Sequence, residues 1–400
     1  MGALPLEGLK IVDIAVLFAS PTISQNMGDF GAEVIKVEHP RLGDSLRSLG
    51  AAKNGVPLWW KITNRNKKCV TLDLGKPEGQ EVFKQLIADA DVLTENFRPG
   101  TLERWGLGWE VLHALNPRLI LVRVSGFGQT GPYKDKPGFG TLAEAMSGFA
   151  HITGQSDGPP TLPGTGLADA VAGQFGTWAV MFALYERDHK SGKGQFIDLS
   201  VLEPIFTILG DQAISYDQLG VIQQRTGNRV PSIGAPRNIY KTKDGKWLAL
   251  SANAHALAGR VFAAIGQPDL IHDPRFKDNR ARIAHIDEVD AIVGGWISEH
   301  TAAEALTRFD EYECAVVPVY SIAEIVTDPH FQAREAVTTV PDADLGPVRM
   351  QNVVPKLSRT PGRIRWTAPA RMGEHNEEIY CTKLGMSRER LAALKEKGVI

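Results

Sequence analysis

The stretch from Pro163 to Gly176, PGTGLADAVAGQFG, carries one ionisable residue, Asp169, among small and apolar neighbours. A lone carboxylate withdrawn from water is costly unless something compensates it, so its position asks for a reason. Two readings stand side by side. A helix is expected from Ala170 to about Arg187, which makes Asp169 a candidate N-cap. Equally, backbone N–H groups and the helix dipole at that end would favour the ionised form, and an ionised carboxylate needs no general base to attack an activated carbonyl. Ala170, Ala172, Gly173 and Gly176 keep the first turns slim. That suits a closely approaching ligand or partner backbone, and it suits plain helix packing equally well.

Other patterns fail on context. Gly126, Gly128 and Gly131 spell GxGxxG after an expected strand, but Pro132 and Pro137 prevent the immediate helix whose N-terminus would hold a pyrophosphate. Gly154, Ser156 and Gly158 spell GxSxG, with Pro159 and Pro160 where a nucleophile elbow requires a helix. SGKGQ lacks the spacing and the hydroxyl of a P-loop, so ATP-driven chemistry is not expected. Cys69, Cys314 and Cys381 lie far apart with no CxxC, and the ten histidines form no HExxH. Neither a disulfide framework nor a metal site is expected, and a reducing, cytoplasmic setting fits. A net charge of −2 offers no field that would attract nucleic acid or an anionic membrane, so any anionic ligand must be held by a local cluster. MGALPLEGLKIVD lacks the pattern of a signal peptide, and no apolar run reaches roughly 18 residues, so no membrane segment is expected.

The elements that must position Asp169 follow from periodicity. LKIVDIA reads as a strand, SPTISQNMGDFG as a helix and AEVIKVEHP as a second strand, a βαβ unit. CVTLDL, DVLTENF, RLILVRVSG and GQFIDLSVLE read as further strands, with helices at PEGQEVFKQLIADA and GWEVLHAL and others from about Thr141 and Ala170. Repeated crossovers imply an α/β fold whose mostly parallel, doubly wound sheet is covered on both faces. Residues 1–224 form the N-terminal part of this large domain. Residues 225–325, with a hairpin at Asp244-Gly245, form a smaller α+β domain, and residues 326–400 return to the large one. The 400 residues, 43% hydrophobic, suffice for such an arrangement.

Seven segments in order resemble the class III CoA-transferase family, which includes formyl-CoA transferase, carnitine CoA-transferase and α-methylacyl-CoA racemase. They are GAEVIKVEHPRLGDSLR, NRNKKCVTLDL, ENFRPGTLERWGLGWE, SGFGQTGPY, AMSGFAHITG, GKGQFIDLS and the terminal LKEKGVI. The resemblance implies that Asp169 is the catalytic nucleophile, passing through an aspartyl anhydride and an aspartyl-CoA thioester. It also implies a Rossmann-like large domain built from both ends of the chain, and an interlocked homodimer with each active site at the junction of the chains. Acyl-CoA and a carboxylic acid, such as a dicarboxylate with succinyl-CoA as donor, are the implied substrates, with no permanently bound cofactor. By analogy Phe18 and Ala19 lie near the thioester, while Asn96, Phe97 and Arg104 contact CoA. Lys136 is assigned to the pantetheine or pyrophosphate, and His39 and Leu72 also to CoA. Lys67 and Lys68 are weaker candidates, read as a wet loop after NRN. Arg47, Arg229 and Arg237 are candidates for holding the acceptor acid.

Some positions depart from the family pattern. His39 and Gly75 stand where many relatives carry Arg and Lys, and VLFASP replaces VLAGP. GNRVPSIGAPRNIY has only Gly227 and Gly234, which disfavours oxalate or formyl-CoA specificity. An acyl-CoA racemase needs a second base, and in the racemases a histidine and an acid follow TGPY. Phe139 and Gly140 occupy that loop here, leaving only His113 and His151 as substitutes. Transferase is therefore the favoured reading. A racemase or epimerase, and a non-catalytic CoA-binding relative, are the alternatives.

Overall fold

Most of the strands expected in the first 200 residues form short strands buried on both faces. The computed structural model describes residues 4–400. In chain order the sheet strands and the helices that matter for the site are β1 (Lys10–Asp13), α1 (Ala19–Asp29), β2 (Glu33–Glu38), β3 (Lys67–Thr71) and α2 (Pro77–Ile87). There follow β4 (Val92–Glu95), β5 (Ile120–Ser125), α3 (Gly140–Met146), α4 (Leu167–Glu186) and β6 (Phe196–Ser200). All six strands are parallel, in the order β3-β2-β1-β4-β5-β6, with Val12 opposite both Ile35 and Leu93. The order reverses between β1 and β4, and in such sheets the crevice beyond the carboxyl ends of the strands at that reversal is where ligands bind.

Successive strand residues point to opposite faces. Val12, Ile35, Val70, Leu93 and Leu121 meet Phe83 and Leu86 of α2, together with Tyr380, Leu391 and Val399 from the C-terminal segment. Ile11, Val34, Val92, Ile120 and Val122 meet Ile23 and Met27 of α1 and Ala172, Val180 and Leu184 of α4. The small residues of α4 serve this packing. A Cβ on Gly173 would lie 2.8 Å from the Thr22 side chain, and one on Gly176 would lie 2.2 Å from Ile23 Cδ1. The helix carrying Asp169 is thus pressed directly on α1.

One part of the interior is ionic. Lys36 and Lys67, both fully buried, flank Asp13: Lys67 Nζ is 2.9 Å from Asp13 Oδ2, and Lys36 Nζ is 2.9 Å from Asp44 Oδ2 and 3.8 Å from Asp13 Oδ1. Burial alone would raise the Asp13 carboxyl, yet the charges of Lys36 and Lys67 outweigh it and hold the group well below the usual range. Lys67 is therefore not part of a wet loop; it opens β3 inside the core, because a partner 54 residues earlier neutralises it. Lys68 faces outward, against Glu33 and Glu378.

The α4 helix starts at Leu167, three residues before the expected position, and with its continuation reaches Ser191. That 25-residue segment is long and apolar enough, by length and composition, to cross a membrane. It packs on α1 instead, while Trp178, Phe182 and Tyr185 leave one stripe of it exposed.

The chain divides into two compact units. The sheet just described belongs to the first, which takes the chain through Ala150, Leu162–Gly220 and Gln332–Ile400. His151–Thr161 and Val221–Phe331 make the second. Its core is a three-stranded antiparallel sheet of β7 (Arg237–Lys241), β8 (Trp247–Ser251) and β9 (Val316–Pro318), turning at Asp244-Gly245 and covered by helices His255–Ala264 and Ile286–Ser298. Residues 151–161 join it through Arg225 Nη1 donating to His151 O and Gly227 N donating to Gly154 O.

Candidate active site

Beyond the carboxyl ends of β1, β4 and β5 the first unit holds a cavity of about 630 Å³. Its wall comprises the chain after β1 (Val16–Ala19), Asn96 after β4, Ser125 and Gly126 ending β5, the start of α3, and the loop and first turn of α4. Phe18, Ala19, Asn96 and Asp169 are thereby brought together, whereas Phe97 and Arg104, grouped with Asn96 from sequence, are not in this lining.

The wall after β1 is held from below. Asp13 Oδ1 accepts from Ala15 N, Lys36 Nζ donates to Ala15 O, and Lys67 Nζ donates to Pro21 O. Asp44 Oδ1 accepts from Leu17 N, and Leu17 takes the left-handed conformation with φ 67°, a costly one for a branched side chain that persists because these contacts over-determine it. Asn96 completes the grip: its Oδ1 accepts from Val16 N and its Nδ2 donates to Val16 O. Each of its polar groups thus makes one bond to the protein's own backbone. The Phe18 ring leans on Trp59 with centroids 4.1 Å apart.

Asp169 lies in the first turn of α4 and is not its cap. Gly166 precedes the helix, and the cap comes from a neighbour: Glu144 of α3, 3% exposed, accepts from Ala168 N through Oε1 at 3.0 Å. The Asp169 carboxylate is half-buried and makes no hydrogen bond or ion pair among the described residues. Burial, and after it the negative charge of Glu144, push its carboxyl up to about 6. The dipole-stabilised, readily ionised group expected from sequence is overridden by these two effects. Among the described residues lining the cavity, Asp169 and Glu144 are the only titratable ones; no histidine, lysine, arginine, cysteine or tyrosine lines it.

Gly140 stands against this carboxylate. A Cβ there would lie 2.5 Å from Asp169 Oδ2 and 3.0 Å from Cγ, while Phe139 beside it is 63% exposed at the rim. Gly140→Ala is compatible with helix backbone, so its effect is steric: it displaces the carboxylate by about an ångström. On the nucleophile role that the resemblance implies for Asp169, turnover is expected to fall about 10²-fold with the melting temperature unchanged. Near-normal turnover of this variant would mean that the carboxylate need not occupy this position.

The remaining site candidates separate. His39, Leu72 and Phe97 line a second cavity of about 270 Å³ with Asp73, Gly75 and Trp105, and Val16 lines both cavities. Phe97 and Trp105 meet edge to face, 5.1 Å apart, and His39 Nδ1 accepts from Arg41 N and Leu42 N. Arg104 is exposed and donates to Thr101 Oγ1; Lys136 is exposed with its Nζ over the Tyr133 ring. Neither lines a cavity described above. Arg47 is consumed by Glu38, Ala370 O and the Trp60 face, and Arg229 by Asp287 and Asp290. Arg237 donates to Asn228 O and lines a separate cavity of about 760 Å³ in the second unit. His113 stacks on Trp109. The sequence reading missed Glu144 and the contact at Gly140. The available signal was an acid one helical turn after Gly140, in the helix expected from Thr141.

Comparison with known proteins shows what the whole chain resembles. Residues 6–376 match the model of CoA-transferase family III. Over 397 residues the chain is 46% identical to a succinyl-CoA–D-citramalate CoA-transferase of Chloroflexus aurantiacus, covering 99% of this chain and 98% of that one. It is 44% identical over 400 residues to the β subunit of a succinyl-CoA–L-malate CoA-transferase of the same organism, covering 99% and 98%. Among solved structures, a CAIB/BAIF family protein from Brucella suis superposes with a TM-score of 0.84 at 30% identity, over 95% of this chain and all of that one.

Proposed function

The chain belongs to CoA-transferase family III and moves CoA between acyl-CoA thioesters and carboxylic acids; we propose that it does so through covalent bonds to Asp169. The observation that carries this reading is an unpartnered carboxylate, facing a cavity at the switch point of the sheet, with no histidine, lysine, arginine, cysteine or tyrosine among the described residues that line it. An Asp169 oxygen attacks the thioester carbonyl, the C–S bond breaks, and CoA leaves as thiolate. The thiolate then attacks the Asp169 carbonyl carbon of the anhydride, expelling the donor acid and leaving an aspartyl-CoA thioester. The acceptor carboxylate attacks that thioester carbonyl and frees the thiolate, which closes the cycle on the new acyl group. Each step exchanges one acyl bond for another, so no ATP is needed.

The cavity lined by His39, Leu72, Phe97 and Trp105 fits the adenine end of CoA, and Val16, shared by both cavities, marks the path of the pantetheine arm. Arg104 and Lys136, exposed, are proposed to meet phosphate. A dicarboxylate acceptor, with succinyl-CoA as donor, is supported by the activities printed for the relatives at 46% and 44% identity. No cation lines the Asp169 cavity among the described residues, and we propose that the remote carboxylate of such an acceptor is met by a group from a second copy. A homodimer supplies it and covers the stripe of Trp178, Phe182 and Tyr185 on α4. The unpaired Cys69, Cys314 and Cys381 support a reducing, cytoplasmic setting. A racemase is disfavoured because its histidine has no counterpart in the cavity lining.

The test is to incubate the protein with acyl-CoA donors, quench, and weigh the peptide containing Asp169. A CoA or acyl adduct is expected there. An active enzyme that never carries one would refute the covalent course.

A further inference from the structure

Glu144 has no assigned part in the reaction, yet its surroundings are unlike those of an ordinary helix acid. Its side chain is buried, it lines the same cavity as Asp169, and it sits one helical turn beyond Gly140, where an added Cβ would meet the Asp169 carboxylate. Its Oε1 accepts from Ala168 N, so it replaces the cap of α4 that Asp169 was expected to provide.

No cation neutralises the pair. On the elements packed against α3 and α4, α1 offers Asp29, bonded to Arg65, and the helix Leu202–Thr207 offers Glu203, bonded to Ser200 Oγ. Strand β5 offers Arg123, taken by Glu95 and Glu103, and β6 offers Asp198, which accepts from Gln129 N. Glu186, Arg187 and Asp188 lie at the far end of α4, where Arg187 pairs with Asp188 and Asp91. Two like charges therefore share one cavity wall uncompensated.

We infer that Glu144 is a positioning residue for the transfer: it fixes the first turn of α4 through Ala168 N, and its charge opposes the negative charge on Asp169, an opposition relieved when Asp169 becomes an acyl group. In the first step one O–C bond forms, one C–S bond breaks, and the negative charge leaves Asp169 for the CoA sulfur. The repulsion is present before the step and absent after it, so it favours formation of the covalent intermediate. The upward displacement of the Asp169 carboxyl by burial and Glu144 agrees with this arrangement. The inference rests on Asp169 being the nucleophile.

The test compares Glu144→Gln with the natural chain. Glutamine keeps the oxygen that accepts from Ala168 N and removes the charge. Single-turnover formation of the Asp169 adduct is followed from about pH 4.5 to 8, across the titration of Asp169. The adduct is expected on Asp169 in both proteins. In Glu144→Gln the acid limb should move down by about one pH unit, and the plateau rate should fall about threefold, as nucleophiles lose reactivity with part of their basicity. The ratio of variant to natural rate then rises as pH falls, which a purely structural loss would not produce. Superimposable pH profiles would overturn the inference. Failure to find any adduct on Asp169 in the natural chain would overturn the nucleophile reading instead. If Glu144→Gln does not fold, the ¹³C signal of the Asp169 carboxyl in the natural chain decides: a coupled, upshifted titration supports the pairing, and a simple midpoint in the ordinary carboxylate range refutes it.

Discussion

Asp169→Asn is expected to abolish turnover and, at neutral pH, to raise stability. An amide cannot attack a thioester, so the loss should reach at least about 10³-fold, with no adduct on the peptide. The stability gain follows from linkage. The folded-state pKa is about 6, raised from 3.8, so the stability this group contributes is fully present below about pH 4 and is lost as pH rises through about 6. A displacement of about two units corresponds to about 3 kcal/mol. Because the carboxylate faces a cavity open to water, solvent recovers part of that, leaving about 1–2 kcal/mol at pH 7. Asparagine never ionises and escapes the penalty. Thermal melts should place the variant roughly 1–4 °C above the natural chain at pH 7, with the gap closing near pH 4. Equal melting temperatures at pH 7 would show that the carboxylate is not held in an unfavourable environment.

Lys67→Met is expected to cost about 3–5 kcal/mol. The methionine fits the volume, but Asp13 and Asp44 are then left with Lys36 alone, a net negative charge with no exposure to water. The variant also frees Pro21 O, which Lys67 holds at 2.8 Å at the start of α1. Combining it with Asp13→Asn removes the imbalance, so the double variant should be more stable than Lys67→Met alone. A double-mutant cycle would show coupling of at least about 1 kcal/mol, the range for contacting charges in one network. Additive losses would mean that the two charges do not depend on each other. Because the same lysine steadies the wall from Val16 to Ala19, the double variant should still turn over more slowly than the natural chain.

The parallel sheet was legible because its strands are buried on both faces: continuous apolar runs such as RLILVRVSG, separated by helix-length segments, admit little else. Asp169 was legible as a position needing an explanation, since no cation lies near it in sequence. Its surroundings were not legible. Lys67 and Glu144 look like surface charges because the sequence around each is ordinary, and only partners 54 and 24 residues away explain their burial. Capping was misassigned for the same reason: the local rule looks for the cap within the segment, whereas here α3 donates it to α4. Asn96, read as a ligand contact, also bonds Val16, a partner 80 residues distant that no spacing rule reveals. Long-range polar pairing was invisible where apolar periodicity was plain.

The absence of side chains at Gly173 and Gly176 has a consequence for how the enzyme can change over time. With α4 seated on Thr22 and Ile23, Asp169 and the chain opposite it form one stiff floor, on which a Cβ at Gly173 or Gly176 has no room. The rim, where Leu49, Phe139 and Leu162 stand exposed, is under no such restraint. Changes of side-chain size are therefore better tolerated at the rim than in the packed floor beneath it.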